Sequence, residues 1–134
     1  MRTSIQLSAD AGPWDQLVTF VKEAEQLGVD AVWVAEAWGA DGPSALGYLA
    51  AVTERVQLGS AIFQLGVRSA AMTAQTAMTL AEMSGGRFVL GLGASGPQVV
   101  EGLHGVPFAA PLTRMRETMD VLQQAFAGER IAYQ

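Results

Sequence analysis

The sequence predicts an α/β domain of four consecutive βα units, and three observations carry that prediction. Short apolar runs suited to strands begin near residues 4, 31, 56 and 87. Between them lie segments whose apolar residues recur at three- and four-residue spacing, the period of a helix with one buried face. The run Ala31-Val32-Trp33-Val34-Ala35 is apolar on both faces, as a parallel strand covered on both sides should be. Parallel strands are joined by right-handed crossovers of about this length. The pattern fits either a small doubly wound sheet or the first half of an eight-stranded βα barrel. In both, loops at the C-terminal ends of the strands carry the site.

Each unit has its own local signals. Ser4 to Leu7 is a short strand; after a loop, Pro13 suits the first turn of a helix. That helix has Trp14, Leu17, Val18, Val21, Ala24 and Leu27 on one face, and Gly28 ends it. Ser44 is the expected cap of a second helix running through Val52. Val56 to Phe63 reads as the third strand, leading into Gln64-Leu65-Gly66. Ser69 starts a third helix with Met72, Thr76, Thr79, Leu80 and Met83 on one side, which Ser84-Gly85-Gly86 stops before a fourth strand, Arg87 to Leu92. Pro111 opens a fourth helix whose Leu112, Met115, Met119, Leu122 and Phe126 keep the period up to Gly128. The methionines of these two helices read as core packing. Ile131-Ala132-Tyr133 starts a further element.

Composition narrows the function. A chain of 134 residues, half of them hydrophobic, is one globular domain. Eight Lys and Arg against thirteen Asp and Glu leave a net charge of -5 without a basic run, which argues against nucleic acid and anionic lipid as partners. With no Cys and a single His, neither a disulfide framework, a thiolate nucleophile nor a tight metal site is expected. The N-terminal residues lack a signal-peptide apolar region and no run is long enough to span a membrane, so the expected location is the cytoplasm.

Among the motifs, Gly91, Gly93 and Gly96 match the G-x-G-x-x-G spacing of a pyrophosphate cradle. The context does not fit a dinucleotide site, because the glycines lie in the fourth unit and no sustained helix follows Pro97. Gly91 and Gly93 then have two readings, a strand kept slim for a protein neighbour or for a cofactor. Ser95 and Gln98, just past the strand end, can hydrogen-bond a flat polar ligand. Glu36 directly follows the second strand, where a carboxylate can act as acid, base or acceptor. Trp38 is a candidate cleft wall, and Trp14 a packing residue. His104 sits between glycines in a loop, where titration near neutral pH permits proton transfer.

Longer strings carry more. Leu58-Gly59-Ser60-Ala61-Ile62-Phe63-Gln64, then Met72-Thr73-Ala74-Gln75, then Ser84-Gly85-Gly86-Arg87-Phe88-Val89-Leu90-Gly91-Leu92-Gly93 resemble the bacterial luciferase-like flavin monooxygenase family. The run from Ala94 to Gly102, with Gly105-Val106-Pro107-Phe108, resembles the branch that uses the deazaflavin coenzyme F420. The resemblance covers essentially the whole chain. It implies the N-terminal half of a TIM (β/α)8 barrel holding F420, or FMN as the alternative, at its strand ends, with hydride moving between the cofactor ring and a small-molecule substrate.

By position, the family's third-strand bulge, often with a non-prolyl cis peptide behind the ring, falls at Ala61–Ile62. The same correspondence puts Glu36 at the second-strand end near the ring and Ser95 and Gln98 in the fourth-strand loop; the cofactor candidates are then Ala61, Ile62, Gly93, Ser95 and Gln98, and the catalytic candidates are Glu36 and, for its own loop position and titration, His104. Some sugar-phosphate dehydrogenases of the family carry a catalytic glutamate where this chain has Gly96, so their particular reaction is not implied.

Family members run to twice this length or more, and their phosphate-binding loops follow later strands. The expectation is therefore a single half-barrel domain over residues 1–134, truncated relative to the family. A lone half barrel exposes its concave face and two strand edges. It is expected to pair as a homodimer or with a complementing second half; a non-catalytic, self-associating half barrel is the alternative to an oxidoreductase.

Overall fold

The computed structural model describes residues 1–131. In chain order its elements are β1 (Ser4–Ser8), α1 (Trp14–Gln26), β2 (Ala31–Ala35), α2 (Gly42–Val52), β3 (Gln57–Ser60), β4 (Phe63–Gln64), α3 (Ala70–Met83), β5 (Phe88–Val89), β6 (Leu92–Gly93), α4 (Pro97–Val100) and α5 (Pro111–Phe126). The expected continuation at Ile131-Ala132-Tyr133 lies, from residue 132 on, outside the described residues.

One parallel sheet runs in the order β1-β2-β3-β5, and a short parallel pair, β4-β6, follows the same two strand paths onward. The register aligns Ile5, Val32, Leu58 and Phe88 in one row and Gln6, Trp33, Gly59 and Val89 in the next. Side chains alternate faces along a strand, so the first row faces the helices and the second the concave side. Leu7, Val32, Val34 and Leu58 are buried on the helix side with Leu17 and Val21 of α1 and Leu46 and Leu49 of α2. Sequential parallel strands with helices on one side are the half-barrel arrangement expected.

The third and fourth strands are each broken; the break in the third falls at Ala61–Ile62, where the resemblance put a bulge, whereas the break in the fourth had no signal in the sequence. From Gly59 to Phe63 is four steps, whereas their partners Val89 and Leu92 are three apart. The third strand therefore carries one extra residue, a β-bulge. An extra residue restores the alternation on the far side: Phe63 returns to the core at 0 % exposure, beside Phe88 at 6.1 Å between ring centroids, while Gln64 pairs with Gly93.

Helix ends follow local chemistry, with one correction. Asp41, not Ser44, caps α2: its carboxylate accepts from the Ser44 N–H at 3.0 Å, and Pro43 sits in the first turn. A carboxylate at this position satisfies an orphan donor as a hydroxyl would, so the helix starts three residues earlier. Ser69 caps α3 as expected, accepting from Met72 N–H at 3.1 Å. Gly28 follows α1 with φ +87, a left-handed conformation that glycine adopts without strain.

The methionine reading is overturned. Met72, Met78 and Met83 of α3 are exposed, and α3 buries Ala70, Thr73, Ala74, Ala77 and Leu80 instead. Small residues let the helix approach its neighbours closely and turn the long side chains outward. On α5, Leu112, Met119 and Phe126 are likewise exposed; only Val121 and Leu122 are buried. Trp14 does pack, edge-on to Tyr48 at 5.7 Å.

Two polar pins hold the N-terminal end of the sheet. Arg87 uses all five of its N–H donors: Nε to Ser84 O at 2.7 Å, Nη1 to Thr53 Oγ1 and Val56 O at 2.9 and 3.0 Å, and Nη2 to Ala50 O and Thr53 O at 3.1 and 3.0 Å. One guanidinium thus closes the C-terminal ends of α2 and α3 over the start of β3. Glu25, at the end of α1, accepts from the backbone N–H groups of Glu54, Arg55 and Val56 with its Oε1 at 3.0, 2.7 and 2.8 Å. Burial raises its pKa, but the hydrogen bonds from Val56, Arg55 and Glu54 and the charge of Arg55 outweigh that, and the net shift is downward.

Replacing Arg87 by Lys, which offers three donors on one atom, is expected to cost about 2–4 kcal/mol in urea denaturation. Glu25→Gln is expected to cost about 1 kcal/mol near neutral pH. Because the folded-state pKa is depressed, that contribution is present above the ordinary value of 4.5 and is lost as pH falls through the folded pKa. The melting temperatures of the two proteins should therefore converge on acidification below pH 4.5.

Candidate active site

The bulge is built by one side chain. Ser60 is 1 % exposed, and its hydroxyl donates to Gly91 O and accepts from Gly91 N–H, both at 2.9 Å. Gly91 O also accepts from Phe63 N–H at 2.8 Å, so the ladder resumes on the far side of the extra residue. A Cβ on Gly91 would lie 2.1 Å from Ser60 O, and one on Gly93 would lie 2.9 Å from Ile62 Cγ1. Both glycines are slim because the third strand presses against them, so the protein-neighbour reading accounts for them. The Ala61–Ile62 peptide is cis. Ala61 and Ile62 form the bulge between β3 and β4, and the Ile62 side chain lies over Gly93.

Glu36 and His104 meet in a second feature, a cleft of about 220 Å³ at the C-terminal ends of β2 and β4, walled also by Gln64, Val67, Arg68 and Leu103. Glu36 is 7 % exposed and forms an ion pair with Arg68. Its Oε1 also accepts from Gly42 N–H at 3.0 Å, its Oε2 from Gln64 N–H at 3.4 Å, and its carbonyl from Gln64 Nε2 at 3.1 Å. One carboxylate therefore ties the loop after β2 to the first turn of α2, to β4 and to the turn before α3. The Arg68 guanidinium in addition stands 5.4 Å from the Phe63 ring centroid. His104 is exposed at the rim.

Ser95 and Gln98 lie one loop further on, both exposed. Ser95 has φ 60, a left-handed conformation unusual for a residue with a Cβ. Trp38 is 61 % exposed and does not line the cleft. Three residues that organise the site went unnoticed in the sequence: Ser60, Gln64 and Arg68. A hydroxyl and an amide interrupting an apolar strand were the available signal, since such groups are buried only when bonded; Arg68 offered none. Among the described residues no three His, Cys, Asp or Glu cluster as a metal site.

Ser60→Ala removes both bonds to Gly91 and is expected to cost about 2 kcal/mol. Gly91→Ala should cost at least about as much by clash, and Gly12→Ala, which meets nothing within 4 Å, should be close to neutral. Chemical denaturation of the three variants checks the order.

The whole chain, residues 1–134, matches the family described as luciferase-like monooxygenase. A Mycobacterium tuberculosis protein assigned provisionally as a coenzyme F420-dependent oxidoreductase is 42 % identical over 134 residues, covering 96 % of this chain and 39 % of that protein. The solved coenzyme F420-dependent tetrahydromethanopterin reductase of Methanopyrus kandleri superposes with a TM-score of 0.88 at 25 % identity, over 99 % of this chain and 42 % of the other. The FMN complex of the oxygenating constituent of 3,6-diketocamphane monooxygenase from Pseudomonas putida shares the fold, with a TM-score of 0.86 at 16 % identity, over 100 % of this chain and 42 % of that one. The chain thus spans about two fifths of the length of these relatives. It matches the N-terminal half of a TIM-type barrel, and it belongs to the luciferase-like monooxygenase family.

Proposed function

We propose that the chain forms the ring-side half of an oxidoreductase that moves hydride between coenzyme F420 and a small organic substrate. The observation that carries this reading is the bulge at Ser60–Phe63, which lays Ile62 over Gly93 at the strand ends. Relatives named for F420 support the choice of cofactor. FMN is the second reading, favoured by the shared fold of the FMN-bound monooxygenase.

The residues present fit such a ring. Ala61, Ile62 and Gly93 would form its backstop, and Ser95 and Gln98 would offer polar contacts at its edge. When bound, the deazaflavin supplies the site that accepts or gives up hydride. Of the two residues assigned to the chemistry, Glu36 holds the cleft wall by its bonds to Arg68, Gly42 and Gln64, and His104, exposed at the rim, would carry a proton to or from the substrate. The phosphate end of the cofactor would need groups from beyond these four units. The barrel would accordingly be completed by a complementing half or a second copy. Action in the cytoplasm belongs to the same reading; no helix among the described residues is long and apolar enough to cross a membrane.

Fluorescence titration with F420 and with FMN tests the proposal on the chain alone and on the chain joined to the C-terminal part of its Mycobacterium tuberculosis relative. F420 is expected to bind the joined protein more tightly than FMN, and the isolated chain weakly. His104→Gln in the joined protein should lower turnover by roughly a hundredfold while leaving F420 affinity unchanged. A chain that associates stably with itself and ignores both cofactors, even when joined, would favour a non-catalytic half barrel instead.

A further inference from the structure

The outward side of α2 and α3 has almost no charge to keep it in water. α2 carries no charged residue and α3 only Glu82, next to its end, whereas α1 carries Asp15, Lys22, Glu23 and Glu25 and α5 carries Arg114, Arg116, Glu117 and Asp120. A groove of about 530 Å³ runs between α2 and α3, lined among others by Gly47, Met72, Thr76, Thr79 and Met83. Met72 and Met83 are 51 % and 54 % exposed, and a Cβ on Gly47 would lie 3.7 Å from Met83 Cε. Flexible thioethers thus stand as ridges beside a groove floored by small residues. An apolar helical face of this kind is ordinarily covered.

Its place in the fold decides what covers it. The sheet runs β1-β2-β3-β5, so its unpaired edges are those of β1 and β5. Strands that complete a barrel add at those two edges, and their helices then flank α1 and α5. α2 follows β2, and α3 follows the third strand path, so barrel closure leaves their outward side open. The cover is therefore a separate molecule, and charge favours a second copy. Each chain carries a net charge of -5, so two copies repel over most of their surface and approach at least cost where neither presents a charge. A two-fold contact sets one patch against itself, and any charge near the axis would meet its like. The lining of this groove has none, and its ridge and groove complement each other.

We propose that two copies of the chain meet on this face, α2 and α3 of one packing against α2 and α3 of the other across a two-fold axis. The contact is separate from any association through the sheet edges or the concave side. It does not rest on the oxidoreductase reading and can be measured without any cofactor.

Sedimentation equilibrium of the full chain tests it. A dimer with a dissociation constant of about micromolar order is expected, tightening as salt is raised, because screening removes the repulsion between the copies. Met72→Glu and Thr79→Glu, both at exposed positions, should each weaken it about a hundredfold or more by putting a charge into the apolar contact. Thr79→Lys should do the same although it lowers the overall negative charge, which separates the effect from net repulsion. Phe20→Glu, on the exposed side of α1, should leave it unchanged. Circular dichroism checks that each variant keeps its helices, and the salt dependence of the native chain needs no variant. A chain that stays monomeric up to about 100 μM, association that weakens with salt, or a dimer that the Met72 and Thr79 variants leave intact overturns the proposal. Failure to bind F420 would count against the oxidoreductase reading and leave this result untouched.

Discussion

The pair of hydrogen bonds between the Ser60 hydroxyl and the backbone of Gly91 is the constraint on which the site depends. A parallel ladder cannot absorb an extra residue in one strand without losing its pairing. Here one side chain supplies the missing donor and acceptor, and the ladder resumes at Phe63. Without the extra residue, Phe63 would face the concave side and Gln64 the core. The bulge thus sets core packing and the functional face together, and Gly91 is required because Ser60 O lies where its Cβ would be.

Around that point, polar pins do at the strand ends what apolar contacts do in the middle. Val32, Val34, Leu46, Leu49 and Leu58 form a core by area alone. Arg87 and Glu25 close the N-terminal end by satisfying backbone groups that helix ends and loops leave open. Glu36 and Arg68 do the same at the C-terminal end. Breaking such a buried pair on one side leaves a charge without its partner, so the cleft's shape and its charge balance rise or fall together. That is why Glu36 is best understood as holding the wall, with His104 left at the rim.

The repeat of strands and helices was legible because parallel strands and amphipathic helices impose periods on the sequence. The bulge position was legible only through resemblance, since nothing in the alternation of Ser60 to Gln64 announces an extra residue. Ser44 was a reasonable cap, and Asp41 does the same work one turn earlier. The methionines of α3 misled because period alone does not say which face is buried when alanines occupy the other. Gln64 and Arg68 act through partners 28 and 32 residues away, a pairing that only the folded sheet creates.

The central claim is that the bulge and the glycines opposite it form the cofactor's resting surface. Backbone hydrogen exchange, compared with and without F420 in the chain joined to a relative's C-terminal half, measures this most directly. The account predicts added protection concentrated at residues 61–64 and 91–95. Protection that appears only in the added half, with these residues unchanged, would contradict it.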